Sequence, residues 1–411
     1  MKAVVFTLGC KVNGCESASL LRGLEERGYE VSDELVPADL YILNTCAVTA
    51  EAEKKSRQAI ARIRAVSPAA RILVCGCAAE RMPSQFAGRA GVQLVTGAMH
   101  KGGILELLDA EGVRVAPAET RFEELPSPHF LQTRAFVKVQ DGCNNFCSYC
   151  IIPYLRGRSR SRALESAAAE ILSCPAEEVV VTGIDLSSYS DGGRDLADLL
   201  RAVKGVKARI RLGSLETHAV TENLLAAAKE VRDFAPHFHL SLQSGSDAVL
   251  RSMNRKYTRA EFLQKAALVR GAFPGAALTT DIIVGFPTET EEDFRATLSL
   301  AEEVRFSQIH CFAYSRRTGT VAAKLPDLAP QVKKERLARL MALGGRLREE
   351  YEGGFVGRAL ELVPEEERGG FTEGYSENYI RLYVRGSVGK RTRVRALERF
   401  RDGLLCTPEE E

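Results

Sequence analysis

Short apolar runs alternate with amphipathic stretches along the first quarter of the chain. AVVFTLG and DLYILNT have the run length of buried strands. ESASLLRGLEERG and AEAEKKSRQAIARIRAV have helical periodicity, the first ending at Gly28 and the second stopping before Pro68. RILVCG, a short helix, VQLVTG and GGILELLDAEG continue the alternation. Serial βα units predict a doubly wound parallel sheet over residues 1–117. Pro117, Pro126 and Pro128 then mark a linker at 118–130. A second alternation fills residues 131–330, with AFVKVQ, EVVVTGI, RIRLGS, FHLSLQ, ALTTDIIVGF and SQIHCFAY as strands between helical stretches. Six such units predict a partial (β/α)6 barrel. A polar connecting helix is expected at 331–353. From 354 to 411 short strands with glycine turns predict a small all-β module. The fold class is therefore α/β with a β appendix. Thr288 and Glu291 fit a capping box opening the acidic helix after GFPTETEEDF.

Composition narrows the setting. The 411 residues are 45% hydrophobic and 27% charged, as in a globular protein, and the formal net charge of +2 decides nothing about nucleic acid. The N-terminal apolar run is too short for a signal peptide, and no stretch has transmembrane length, so a cytoplasmic chain without membrane contact is expected. In that compartment eleven cysteines point to metal or catalysis before disulfides.

Three of them stand in DGCNNFCSYC, as Cys143, Cys147 and Cys150, directly after the first predicted barrel strand. That is the face where barrel chemistry is assembled. Three thiolates at this spacing can hold three irons of a cubane and leave the fourth open to a ligand. The competing reading is a zinc knuckle whose fourth ligand lies elsewhere.

C-x₃-C-x₂-C with an aromatic, Tyr149, before the last cysteine resembles the signature of the radical S-adenosylmethionine (SAM) superfamily. TLGCKVN, ILNTCAVT and VCGCAAE resemble the N-terminal signatures of the methylthiotransferase family. RGRSRSR, HLSLQSGSDAVLRSMNRKYT, DIIVGFPTETEEDF and YSRRTGTVAA resemble its barrel motifs, and the last module resembles a TRAM domain, an OB-like RNA-binding β-barrel. The resemblance spans nearly the whole chain. TLGCKVN and NYIRLYV look most like the branch that methylthiolates N6-threonylcarbamoyladenosine (t6A) at position 37 of the tRNA anticodon loop. It implies two 4Fe-4S clusters and two SAM molecules, one methylating a cluster-held sulfur and one forming the 5′-deoxyadenosyl radical that activates carbon 2 of the adenine. A reductant and a sulfur source are implied as partners.

The same resemblance implies Cys10, Cys46 and Cys77 as ligands of the second cluster. Each follows a predicted strand of the first sheet, and such strand ends converge on one crevice, although buried cysteines are also common as small hydrophobes. Cys75 stands two before Cys77; the latter lies past the strand end. Cys15, Cys174, Cys311 and Cys406 read as packing residues. Tyr149, Gly183, Glu216, Gln243 and Asp281, at or in barrel strands, are expected SAM contacts, with satisfied core groups as the alternative. Arg156, Arg158, Arg160 and Arg162 alternate, so an extended chain would present them together to tRNA phosphates. In the last module Arg381, Arg385, Lys390 and Arg391, interleaved with Tyr379 and Tyr383, form a second expected tRNA contact. Gly14, Glu80, Asp185, Ser241 and Ala313 depart from the family's usual residues. Rival substrates are isopentenyladenosine in tRNA and a ribosomal-protein side chain; the non-enzymatic rival is a zinc-containing RNA-binding protein.

Overall fold

The computed structural model describes residues 1–117, 120–125 and 133–409. Pro126 and Pro128 of the expected linker lie outside the described residues, as do the last two positions of the chain. The first sheet is six-stranded and parallel, in the spatial order Glu30–Ser32, Lys2–Thr7, Leu40–Thr45, Arg71–Gly76, Val92–Thr96, Gly112–Arg114. Helix Lys11–Glu25 packs its leucines on one face and helix Ala50–Val66 covers the other, so alternate residues of each central strand are buried on both sides. The chain turns to one neighbour of Lys2–Thr7 and later returns to the other. The topological switch thus falls between Lys2–Thr7 and Leu40–Thr45, where a doubly wound sheet opens a crevice at the strand ends. The two short edge strands have too few apolar residues to show in the sequence.

Six parallel strands follow: Arg134–Asp141, Glu178–Gly183, Arg209–Leu212, His237–His239, Ala277–Val284 and Gln308–Ala313. They form two sheets joined by single bridges, Ile210 to Phe234 and Leu215 to Leu240, which makes an open, partial barrel. Its helices and the helix-facing residues of its strands share one apolar core. The helix Pro330–Gly353 is more than a connector, because Leu340, Leu343 and Leu347 are buried in that core.

Five strands close the C-terminal barrel in the order Ala359–Arg368, Phe371–Tyr375, Arg381–Arg385, Gly403–Pro408, Thr392–Phe400. FTEGYSENYIRLYVRG is two strands joined by a turn in which Tyr379 takes a left-handed φ of 61°. The last strand is not expected from the sequence. The small barrel is tied to the large one. Arg211 pairs with Glu178 at 2.7 Å and donates to the backbone carbonyls of Ser376 and Glu377, while Arg209 reaches Glu361 at 2.8 Å. Tyr379 stacks on His237 with ring centres 4.5 Å apart.

One expected cap is displaced. Helix Glu291–Val304 is capped by Thr290, with Asp293 completing the box, and Thr288 and Glu291 are not the pair. Glu289 is drawn inward instead, accepting from the Gly285 backbone at 2.8 Å and pairing with Arg336 at 2.7 Å, which moves the helix start two residues along. No helix among the described residues is long and apolar enough to cross a membrane.

Candidate functional site

The barrel mouth and the crevice of the first sheet face each other across one cavity of about 700 Å³. Six cysteines line it: Cys10, Cys46 and Cys77 from the first sheet, and Cys143, Cys147 and Cys150 from the loop after strand Arg134–Asp141. The chain's other five cysteines do not. Cys75 is buried within its strand among the leucines of the opposite face, and the Cys15 thiol donates to the Phe136 carbonyl at 3.0 Å. Local geometry explains the convergence. Cys10 precedes helix Lys11–Glu25, and Cys77 begins helix Cys77–Arg81 immediately past its strand. Gly9, at φ 115°, lies so close to Cys46 that an added Cβ would sit 2.7 Å from the Cys46 Cβ. Only glycine lets those two segments meet.

Behind Cys10 and Cys77 lies a buried charge network. Arg156, 0% exposed, pairs with Glu16 at 2.8 Å and Asp141 at 3.1 Å, donates to the Asn13 side chain, and places Nε 3.3 Å from the Cys77 sulfur. Lys138 bridges Glu16 and Asp141 at 3.0 and 3.1 Å, Arg160 joins Asp141 at 3.0 Å, and Lys101 pairs with Glu16. Burial by itself would raise the Asp141 pKa, yet Lys138 and Arg156 outweigh it and hold it at about 2; Glu16 is held well below the usual carboxylate range in the same way.

The expected arginine stripe is therefore corrected. Arg156 ends helix Ile152–Arg156 rather than lying in extended chain, and it and Arg160 point into the network. Arg158 is exposed and lies over the Phe146 ring. In the C-terminal barrel Arg391 is committed to Asp233 and Glu361, and Arg381 to Glu373 and Asp402, so both hold the fold together. Arg385 and Lys390 are exposed.

On the barrel side, Cys143 lies 3.7 Å from Asp185, which also accepts from Asn145 and Ser188. Arg255, which the sequence reading missed, donates to the Cys147 sulfur at 3.3 Å and to the Ser241 carbonyl, and pairs with Glu216. Gly183 packs on Gln140; an added Cβ would meet its Oε1 at 2.8 Å. Gln243 has a left-handed φ of 64° and donates its backbone N–H to the Asp281 carbonyl, and Tyr149 packs edge-on to Phe286. Glu216, Gln243, Gly183, Tyr149 and Asp281 all line the same cavity. So do His239 and His310, also missed. With Asp281 they present one potential ligand atom each, all within 4.8 Å.

The donor sets suit iron–sulfur clusters. Six thiols face the cavity in two groups of three, and burial pushes Cys143 and Cys150 up to about 12 and Cys46 up to about 11. Neutral buried thiols of this kind lose their protons to a metal. Among the described residues only His239, Asp281 and His310 have ligand atoms all within 4.8 Å of one another; the sulfurs of neither cysteine trio come that close together. Behind the first trio, Arg156, Lys138, Arg160 and Lys101 face only Glu16 and Asp141. That excess of positive charge matches a cluster made anionic by three thiolates.

An open parallel barrel with three thiols on the loop after its first strand defines a radical SAM core. Residues 137–301 match the Radical SAM superfamily and residues 2–97 match Uncharacterized protein family UPF0004. The chain is 38% identical over 426 residues to threonylcarbamoyladenosine tRNA methylthiotransferase MtaB of Bacillus subtilis, covering 97% of this chain and 94% of that one. It is 38% identical over 386 residues to tRNA-2-methylthio-N(6)-dimethylallyladenosine synthase of Thermobifida fusca, covering 89% and 78%. Among solved structures, the radical SAM methyltransferase TsrM of Kitasatospora setae superposes with a TM-score of 0.55 at 15% identity over 91% of this chain and 81% of that one, which shows a shared fold. The chain belongs to the radical-SAM methylthiotransferase family. Membership brings SAM and a 4Fe-4S cluster with it.

Proposed function

We propose that this enzyme adds a methylthio group to carbon 2 of N6-threonylcarbamoyladenosine at position 37 of the tRNA anticodon loop. The observation that carries this reading is the single cavity shared by both cysteine trios. The relatives that match it over nearly their full length and bear that activity in their names support the substrate. Cys143, Cys147 and Cys150 are the proposed ligands of the SAM-binding cluster, and Cys10, Cys46 and Cys77 those of a second. When bound, the first cluster with SAM would supply a radical able to take hydrogen from an unactivated C–H bond, and the second would hold the sulfur that is transferred.

The chain's own residues do the rest. Glu216, Gln243, Gly183 and Tyr149, proposed SAM contacts, line the cavity with Cys147, and Arg255 links Glu216 to the Cys147 sulfur. Asp185 presents a carboxylate acceptor beside Cys143. The two walls would hold sulfur and radical source on opposite sides of the reacting carbon. Incubating reconstituted enzyme with t6A-containing tRNA, SAM, sulfide and dithionite is expected to give the 2-methylthio nucleoside by mass spectrometry. Conversion of dimethylallyladenosine tRNA instead would move the enzyme to the other named substrate.

Of the expected tRNA contacts, Arg158, Arg385 and Lys390 remain available to phosphates. Replacing each with Ala is expected to weaken tRNA binding alike for all sequences and to lower the slope of log affinity against log salt by about 1 for every phosphate-bound side chain removed. Filter binding across a salt series checks this, and an unchanged slope removes that residue from the interface. For Arg391→Ala a loosened C-terminal barrel, visible as faster proteolysis of the connecting helix, is expected instead.

A further inference from the structure

One wall of the cavity gathers polar side chains, with Phe312 beside them. His239, Asp281 and His310 stand on three neighbouring parallel strands. His239 pairs in register with Thr279 and Asp281 with His310, and Asp281 lies two residues beyond Thr279, so all three side chains share the inner face. His239 Nε2 lies 3.4 Å from Asp281 Oδ2, longer than an ordinary hydrogen bond, and has no other partner among the described residues although His239 is only 9% exposed. Its other nitrogen is engaged by the Thr279 hydroxyl at 3.0 Å, which also meets His237 at 2.8 Å. Tyr379 of the C-terminal barrel completes this wall.

Lys11 faces the same space from the first sheet's side. The other cavity-lining side chains of fixed positive charge are committed, Arg156 to Glu16 and Arg255 to Glu216. Lys11, exposed to the cavity, makes no hydrogen bond or ion pair among the described residues. Beside Phe312, the unpartnered ammonium, the imidazoles and the carboxylate would lose water and gain nothing against a hydrocarbon arm. These groups suit an arm that carries a carboxylate together with hydroxyl and N–H donors.

We infer that Lys11 binds the α-carboxylate of the threonylcarbamoyl arm and that Asp281, instead of making the SAM contact expected from the sequence, accepts from that arm's hydroxyl or N–H, which makes this wall the substrate-selecting subsite. The inference rests on the t6A reading above. A site built for polar partners rejects analogues that lack them far more strongly than an apolar pocket does.

The test uses reconstituted holoenzyme and an anticodon stem–loop RNA bearing t6A, compared with the same RNA whose carboxylate is converted to the primary amide. The wild type is expected to favour the acid by at least about tenfold in both kcat/KM and equilibrium binding. In Lys11→Met that preference falls to about one in both readouts, through loss on the acid side, and Lys11→Arg restores it. An undiminished preference in Lys11→Met, or equal loss on both RNAs, overturns the assignment and leaves the t6A reading standing. If the wild type modifies only dimethylallyladenosine RNA, the substrate reading falls and this inference falls with it.

Discussion

Cys147→Ala abolishes reductive cleavage of SAM, whereas Cys46→Ala leaves cleavage intact and removes only methylthio transfer. This separation is the expected result if each trio holds its own cluster. Cys147 stands in the barrel loop, with Arg255 at its sulfur, and Cys46 stands across the cavity beside Gly9. Each variant is expected to retain about four irons per chain where the intact enzyme holds about eight. Iron analysis after anaerobic purification, 5′-deoxyadenosine release with dithionite, and nucleoside mass spectrometry read the three quantities. Equal loss of cleavage in both variants would mean one shared metal centre, and full transfer by Cys46→Ala would remove that residue from the ligand set.

Arg156→Met is expected to cost about 3–5 kcal/mol of stability, because it leaves Glu16 and Asp141 buried with too little counter-charge. Methionine nearly fills the space, so the loss reports charge and hydrogen bonding more than volume. The pH dependence has a definite sign. Asp141, with a pKa of about 2, and Glu16, also depressed, stabilise the fold fully above the ordinary carboxylate range, and that stability drains as pH falls toward the depressed values. With Arg156 gone both carboxylates protonate more readily, so acid unfolding moves to higher pH. Thermal melts from pH 7 to pH 3 check this. A melting curve superimposable on the wild type would show that Lys138, Arg160 and Lys101 suffice.

The contrast between Arg156 and the cysteines shows what a sequence discloses. Cys143, Cys147 and Cys150 share one tight loop and so leave a local pattern. The strand ends carrying Cys10, Cys46 and Cys77 are readable, because a doubly wound sheet brings its strand ends together; that these three cysteines form one set comes from the family resemblance. Arg156 and Arg160 look like a solvent-facing stripe because alternation is a local signal. Their partners, Glu16 above all, stand far away in the sequence and bury them. The same blindness applies to Thr290, whose capping role depends on Arg336 drawing Glu289 inward. His239 and His310 do have a usable signal. Each occupies an inward position of a predicted strand neighbouring the one that carries Asp281, and aligning those strands would have grouped the three.

Tyr379 gives the C-terminal barrel a second identity. By reaching past its own strands to lie on His237, it turns an appended module into a wall of the reaction chamber. Chimeras joined at the connecting helix would therefore exchange part of the chamber along with the proposed tRNA contacts Arg385 and Lys390, and a shift in which adenosine they accept would trace to that borrowed panel as much as to those contacts.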